Sequence, residues 1–109
     1  MLRAVVASLA ALLLLVGCGS QSAKPVTVEL EIGAEAPAEP QRIEVPLGAE
    51  VTLTGTSQIT DVLHVHGYER EIDLVSGESY EDVFTADMAG VYEIETHDVL
   101  AVWATLVVR

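Results

Sequence analysis

The sequence predicts an all-β fold, a Greek-key β-sandwich or barrel of about eight short strands. From Val26 onward, apolar residues recur at every second position, which is the period of a strand with one buried face. Glycines at positions 48, 55, 67, 77 and 90 interrupt the apolar runs at intervals that fit turns between short strands. No segment after residue 25 has a convincing helical period.

The predicted strands follow one another along residues 26–109. They cover residues 26–32, 43–45, 51–53, 63–65, 72–74, 80–84, 92–94 and 101–108. Most of them alternate apolar with polar residues, so each is expected to bury one face. The last is almost continuously apolar, which is typical of a strand covered on both faces or lying at the centre of the barrel. Residues 33–41, GAEAPAEPQ, carry two prolines and acidic side chains and predict a long surface loop.

The start of the chain predicts export and lipidation. Arg3 precedes an almost wholly apolar run over residues 4–16, which has the form of a secretory signal and is short for a membrane span. The run ends in Leu-Val-Gly-Cys at 15–18, which resembles the bacterial lipobox, where the cysteine is acylated and becomes the new N-terminus. The alternative is a plain secretory signal with a chance cysteine. We predict a lipoprotein signal peptide over residues 1–17 and a lipid anchor at Cys18.

The mature chain is predicted to carry a tether and one small domain. Residues 18–25 follow as a lipidated cysteine and a small, polar, flexible tether. Residues 26–109 are enough for one domain with one core. Cys18 is the only cysteine, so its lipidation leaves no thiol for a disulfide or a metal ligand. We expect the domain at the extracytoplasmic face of the cell membrane, attached to it through the lipid alone.

Charge narrows the range of partners. Without residues 1–17 the chain has four Lys and Arg against seventeen Asp and Glu, a net charge of −13. A surface that acidic does not bind nucleic acid or anionic lipid. Cations are its natural small partners.

Two histidines in the stretch HVHGY, residues 64–68, are candidate metal ligands. If Leu63 and Val65 face the core, His64 and His66 both point to the other face, with Cβ atoms about 6.5 Å apart. Copper and zinc both accept neutral imidazole nitrogen, so the two rings can converge on one ion. Gly67 allows the backbone to turn sharply, and we expect this turn to aim His66 inward over the end of the sandwich.

A structural interpretation of the pair stays open, because histidine is also ordinary on the polar face of a strand. His97 favours the metal site, since it ends the strand that begins at Tyr92 and all three histidines therefore lie at strand ends. If those ends share one pole of the sandwich, His64, His66 and His97 form a three-histidine site.

The order of the motifs resembles a known family. HVHGY, then VSGESYEDVFTADMAGVYEIETH, then ATLVV is similar to the C-terminal two thirds of cupredoxins, and closest to the small cupredoxin-like lipoproteins of bacteria. The resemblance covers about residues 26–109. Its most specific parts are His66-Gly67 and the turn Gly90-Val91-Tyr92 into a strand. The resemblance implies a cupredoxin fold and copper as the cofactor, with zinc as the alternative.

The resemblance also implies a ligand set that this chain lacks in part. In blue-copper members the strand delivers a cysteine, followed by a second histidine and a methionine. Here Thr96 stands at the cysteine position, and Val99 and Val102 stand where further ligands would be sought, which argues against one-electron transfer. The three histidines resemble remnants of the ligand set of multicopper oxidases. Alternation points Thr96 inward and His97 outward, unless the chain bends at the strand end.

Two function classes follow from these observations. The first is a lipid-anchored, extracytoplasmic protein that binds copper or zinc through histidines for storage, delivery or sensing. The alternative is a metal-free interaction module that presents an acidic face to a partner protein. An enzyme is not expected, because the sequence contains neither a G-x-S-x-G nucleophile motif nor a glycine-rich phosphate loop.

Overall fold

The computed structural model describes residues 23–109, and this part of the chain contains eight strands joined by turns and loops. The strands are β1 (Val26–Glu29), β2 (Gln41–Val45), β3 (Glu50–Thr56), β4 (Asp61–Val65), β5 (Arg70–Leu74), β6 (Ser79–Thr85), β7 (Gly90–Thr96) and β8 (Ala101–Val108). The predicted all-β fold is confirmed, because each predicted strand has a counterpart in the structure. Within residues 23–109 no helix has the length and apolar character needed to cross a membrane.

The strands form two sheets. One has three strands in the order β1-β3-β6, and the other has five in the order β2-β8-β7-β4-β5. β1 pairs with β3 and β2 with β8 in parallel, whereas the other ladders are antiparallel. The nearly continuous apolar strand β8 lies inside the larger sheet, between β2 and β7, as its composition predicted.

The core lies between the two sheets and is built by alternation along most of the strands. Leu53 of β3 and Leu63 of β4 are almost completely buried, as are Ile94 of β7 and Leu106 of β8. The neighbouring positions on β3, β4 and β7 point away from the core, whereas β8 is buried at successive positions as well. Residues facing outward on the five-stranded sheet are therefore free to carry polar chemistry without disturbing the packing.

The first strand is shorter than predicted. Residues 26–32 were expected to form one strand, but β1 ends at Glu29, and Ile32 makes only an isolated parallel bridge with Ser57. The hydroxyl of Tyr80 donates a hydrogen bond to the carbonyl of Leu30, and the backbone of Leu30 lies directly against Gly55. A Cβ at Gly55 would lie 2.1 Å from that carbonyl oxygen, so the close approach requires glycine.

The predicted loop over residues 33–41 is present, and its last residue, Gln41, begins β2. Most of its side chains are exposed. The predicted signal peptide, residues 1–17, and the predicted anchor Cys18 lie outside the described residues. They remain predictions.

Candidate metal centre

The alternation of buried and outward-facing side chains along β4 places the first residue of the site. Leu63 and Val65 are fully buried, so His64 between them faces outward from the five-stranded sheet. β4 pairs antiparallel with β7, and the register places His64 beside Glu95. Ile94 and Thr96 are buried on either side of Glu95, which therefore shares the outer face with His64. Two adjacent strands thus present an imidazole and a carboxylate side by side.

His66 joins them on the outer face. Its backbone N–H still bonds to the carbonyl of Glu93 in the ladder, at 3.0 Å, so the chain turns only after His66. Gly67 takes a positive φ of 81° at that turn, and a Cβ there would lie 2.3 Å from the Tyr92 ring. The expectation that Gly67 aims His66 inward is wrong. The ring of His66 lies 4.4 Å from that of His64, centroid to centroid, on the outside of the sheet.

The three side chains can share one ion. The ligand atoms of His64, His66 and Glu95 all lie within 4.8 Å of one another. Nε2 of His66 lies 2.5 Å from Oε1 of Glu95, a hydrogen bond that is charge-assisted because its acceptor is a carboxylate. The side chain of His64 is 12% exposed, whereas those of His66 and Glu95 are 43% and 32% exposed. The cluster is therefore anchored at His64 and accessible from solvent at the other two residues.

A second carboxylate approaches the cluster from the turn after β4. Oε2 of Glu69 lies 3.3 Å from Nε2 of His64. Glu69 has a φ of 49°, and it is the one residue other than glycine with positive φ among residues 23–109. Its side chain is largely exposed, so this contact is weaker than the pair made by His66 and Glu95.

His97 lies beside the cluster without belonging to the group of three ligands. The predicted alternation is confirmed, since Thr96 is fully buried and His97 is exposed. The His97 ring meets the His64 ring edge-on, with centroids 5.4 Å apart. The three histidines are thus brought together, but the group whose ligand atoms all lie within 4.8 Å of one another contains Glu95 and not His97.

The carboxylate of Asp61 holds the segment that carries His97. It accepts hydrogen bonds at 2.7 to 3.1 Å from the backbone N–H groups of Val62, His97, Asp98 and Val99. Burial raises the pKa of Asp61, but the backbone donors together stabilise the carboxylate more, so its pKa lies below the ordinary 3.8. Asp61 thereby joins the start of β4 to the turn after β7.

The inner position that blue-copper members give to cysteine is occupied by a closed hydrogen-bonded group. The hydroxyl of Thr96 donates to the carbonyl of Val99 and accepts a hydrogen bond from Nε1 of Trp103 at 3.0 Å. Thr96 is fully buried and Trp103 nearly so. No buried side-chain nitrogen or oxygen among the described residues lacks a partner. The donors that could hold an ion are therefore on the outer face of the sheet.

Glu95 is a candidate ligand that the sequence did not single out. It is one of seventeen acidic residues, and nothing in its immediate sequence sets it apart. The available signal was its alternation with Ile94, which places it on the polar face of the strand before His97. Its pairing with His64 depends on the register between β4 and β7, which joins residues 31 positions apart in the chain.

The donor set fits a divalent transition metal. Two imidazole nitrogens and one carboxylate oxygen suit both zinc and copper. Each imidazole must present an unprotonated nitrogen to the ion, so binding would replace the hydrogen bond between His66 and Glu95. The residues present can therefore hold such an ion, with room for further ligands from solvent.

Comparisons with known proteins bear on the fold. No family model and no curated protein matches the sequence. Among solved structures, a chain of a heme-copper terminal oxidase dimer is 18% identical with a TM-score of 0.62, over 82% of this chain and 71% of that chain. A copper binding protein solved by NMR in its apo form is 15% identical with a TM-score of 0.58, over 84% of this chain and all of that chain. An amicyanin mutant with Cu(I) is 18% identical with a TM-score of 0.51, over 76% of this chain and 82% of that chain. At these identities the likeness shows the fold, which is that of the cupredoxins.

Proposed function

We propose that this cupredoxin-fold domain binds copper through His64, His66 and Glu95 on the outer face of its larger sheet. The observation that carries the proposal is the convergence of these three ligand atoms within 4.8 Å of one another. They come from two hydrogen-bonded strands, so the rigid sheet holds much of the arrangement before an ion arrives.

Copper is favoured over zinc by two arguments of different kinds. Copper(II) stands above zinc in the general order of affinity for nitrogen and oxygen ligands. The similar solved structures include a copper binding protein and an amicyanin with Cu(I). Zinc remains the alternative ion. His97 borders the site through its contact with His64, and we propose it as a further, weaker ligand.

The proposed location is the extracytoplasmic face of the cell membrane. The support comes from the lipobox-like residues 15–18 and from the polar tether up to residue 25. Lipidation at Cys18 would attach the chain to the membrane and leave the metal-binding domain in the surrounding water. The acidic domain itself adds no attraction to anionic lipid.

Replacement of Cys18 tests the anchor. We expect the wild-type chain to sediment with membranes and to carry the mass of its acyl groups, because two or more chains give stable anchoring. The variant Cys18→Ser should either appear in the soluble fraction or keep its uncleaved N-terminus. Identical mass and fractionation of the two proteins would contradict the proposed anchor.

Calorimetric titration of the domain with Cu(II) and with Zn(II) tests the metal centre. We expect one strong site in the wild type, and a loss of affinity of roughly tenfold to 100-fold, about 1.4 to 2.7 kcal/mol, in His66→Ala. Glu95→Gln should also bind more weakly, because it removes the carboxylate from the cluster.

The matched control is Glu81→Gln. Glu81 is exposed on β6, in the three-stranded sheet, and lies outside the group of three ligands. The variant removes the same charge, so any general effect of surface charge appears in both variants. Equal affinities of the Glu95 and Glu81 variants would show that copper is held by the acidic surface and that the proposed site is wrong.

The acidic outer face supports the alternative function, a metal-free module that binds a partner protein. Exposed Glu71, Asp73 and Glu93 lie on the same face as the histidines. A basic partner would be drawn to this face and its association rate would fall steeply with salt. Absence of a strong copper and zinc site in the titration would favour this alternative.

A further inference from the structure

The ligand atoms of the metal centre are nitrogen and oxygen alone. Two imidazoles and one carboxylate form the group made by His64, His66 and Glu95. Soft thiolate and thioether ligands select Cu(I), whereas nitrogen and oxygen ligands in a tetragonal arrangement suit Cu(II). The donor set of this site therefore matches one oxidation state of copper much better than the other.

The backbone that carries the one sulfur of residues 23–109 is hydrogen-bonded at one end of the sandwich. Met88 is the single sulfur-bearing residue in this part of the chain. Its carbonyl accepts hydrogen bonds from the hydroxyls of Tyr68 and Tyr92, and the Tyr68 ring packs against Phe84 of the other sheet at 5.2 Å. Met88 is thus tied to one end of the sandwich, whereas the histidines lie on the outer face of the larger sheet.

The length of β7 keeps the two apart. Glu95 lies five residues beyond Gly90, where β7 begins, and Met88 precedes that start by two residues. Five residues of strand span about 16 Å at the usual rise, which is beyond the reach of a methionine side chain. The thioether is therefore not available as a soft ligand to an ion bound at Glu95.

The site is also open to an acceptor. His66 and Glu95 expose about two fifths and one third of their side chains. An ion held by them can be approached from solvent without any movement of the sheet. An acceptor with thioether or thiolate ligands can therefore meet the ion directly.

We propose that the site holds copper as Cu(II) and yields it, on one-electron reduction, to an acceptor with thioether or thiolate ligands. This inference rests on the proposed function. An enediol reductant such as ascorbate supplies the electron and is oxidised to its radical, with release of one proton. The ion becomes Cu(I), its bonds to the two imidazoles and the carboxylate break, and bonds to the sulfur ligands of the acceptor form.

The selectivity sets the potential of the bound ion. We expect Cu(II) to be held about 100-fold or more tightly than Cu(I), because the soft ligands that select Cu(I) are missing. A 100-fold preference lowers the reduction potential of the bound ion by about 120 mV relative to an environment without preference.

The test compares Glu95→Met with Glu81→Met. Cu(II) affinity is measured by calorimetry, and Cu(I) affinity by competition with bicinchoninate in the absence of oxygen. Glu95→Met replaces an oxygen ligand with a thioether, so we expect weaker binding of Cu(II) and a gain in Cu(I) affinity of roughly tenfold to 100-fold. Glu81→Met places the same side chain on the exposed face of the three-stranded sheet and should leave both affinities unchanged.

Release is then followed directly on the wild type loaded with Cu(II). Addition of ascorbate with bicinchoninate should remove the paramagnetic Cu(II) signal and transfer the copper to the chelator. Wild-type affinities for Cu(I) and Cu(II) within tenfold of each other, or copper that stays on the protein after reduction, would overturn the inference while leaving the metal site intact. Failure of the wild type to bind Cu(II) at all would overturn the proposed function itself.

Discussion

The end of β7 contributes side chains to two different regions of the molecule, one buried and one partly exposed. On its inner face, Thr96 is fully buried and its hydroxyl completes a closed group with Val99 and Trp103. On its outer face, the preceding residue Glu95 lies partly in solvent and meets His66. The inner region has every polar group paired within the protein, whereas the outer region keeps ligand atoms that can exchange a hydrogen bond for an ion.

The difference shows how one strand can separate stability from chemistry. Successive side chains of a strand point to opposite faces, so Glu95 and Thr96 belong to different environments although they are adjacent in the chain. Changes to the inner region are expected to affect unfolding free energy and leave metal affinity alone. Changes to the outer region are expected to do the reverse.

The largest effect on unfolding free energy is expected from Asp61→Ala. The substitution removes the carboxylate that accepts from four backbone N–H groups, of which that of His97 keeps a second acceptor, the carbonyl of Val62 at 3.3 Å. One hydrogen bond to a charged group contributes about 1.5 to 3 kcal/mol, and several are lost here, so we expect a loss of about 3 to 5 kcal/mol. Urea denaturation followed by circular dichroism measures the change. Asp73→Ala, on the exposed face of β5, is the control and should remain within about 0.5 kcal/mol of wild type.

Acid should reproduce part of the Asp61 effect. The folded pKa of Asp61 lies below its unfolded value, near 3.8, so its contribution is complete above that pH and is lost as pH falls below it toward the folded pKa. The stability difference between wild type and the Asp61 variant should therefore shrink as the pH is lowered below about 4. A difference that stays constant from pH 6 to pH 3 would show that the carboxylate charge plays no part.

A smaller loss of stability is expected from Thr96→Val. The variant keeps the shape of the side chain but leaves Nε1 of Trp103 buried without an acceptor. We expect a loss of about 1 to 3 kcal/mol in unfolding free energy and an unchanged affinity for Cu(II). Because the side chain points away from the histidines, Thr96→Cys should likewise not produce the intense blue absorption of a copper-thiolate site. A blue band in that variant would mean that the two faces are not separate.

The smallest effect on stability is expected from His66→Ala. His66 is partly exposed, and its main partner is the carboxylate of Glu95, which is also partly exposed. Pairs of this kind contribute little, so the unfolding free energy should change by less than about 1 kcal/mol while copper affinity falls. A loss of stability as large as that of the Thr96 variant would contradict the separation of the two regions.

The strands and the loop could be predicted because alternation and proline content are local properties of the sequence. The same alternation correctly placed Thr96 inward and His97 outward. Glu95 could not be singled out, because its partnership with His64 depends on the register of two strands far apart in the chain. The direction of His66 was wrong for a related reason. Its backbone remains in the ladder with Glu93, so His66 continues the alternation of β4 and its ring lies beside that of His64 on the outer face.

The ladder between β4 and β7 joins only three residue pairs, fewer than any other ladder of the five-stranded sheet. It is the seam between the part formed by β2, β8 and β7 and the part formed by β4 and β5. His64 and His66 lie on one side of that seam and Glu95 on the other, so an ion held by all three would cross-link β4 to β7. Binding of the ion would then raise the free energy needed to separate β4 from β7. The amide protons along the seam would exchange with solvent more slowly in the loaded protein than in the empty one.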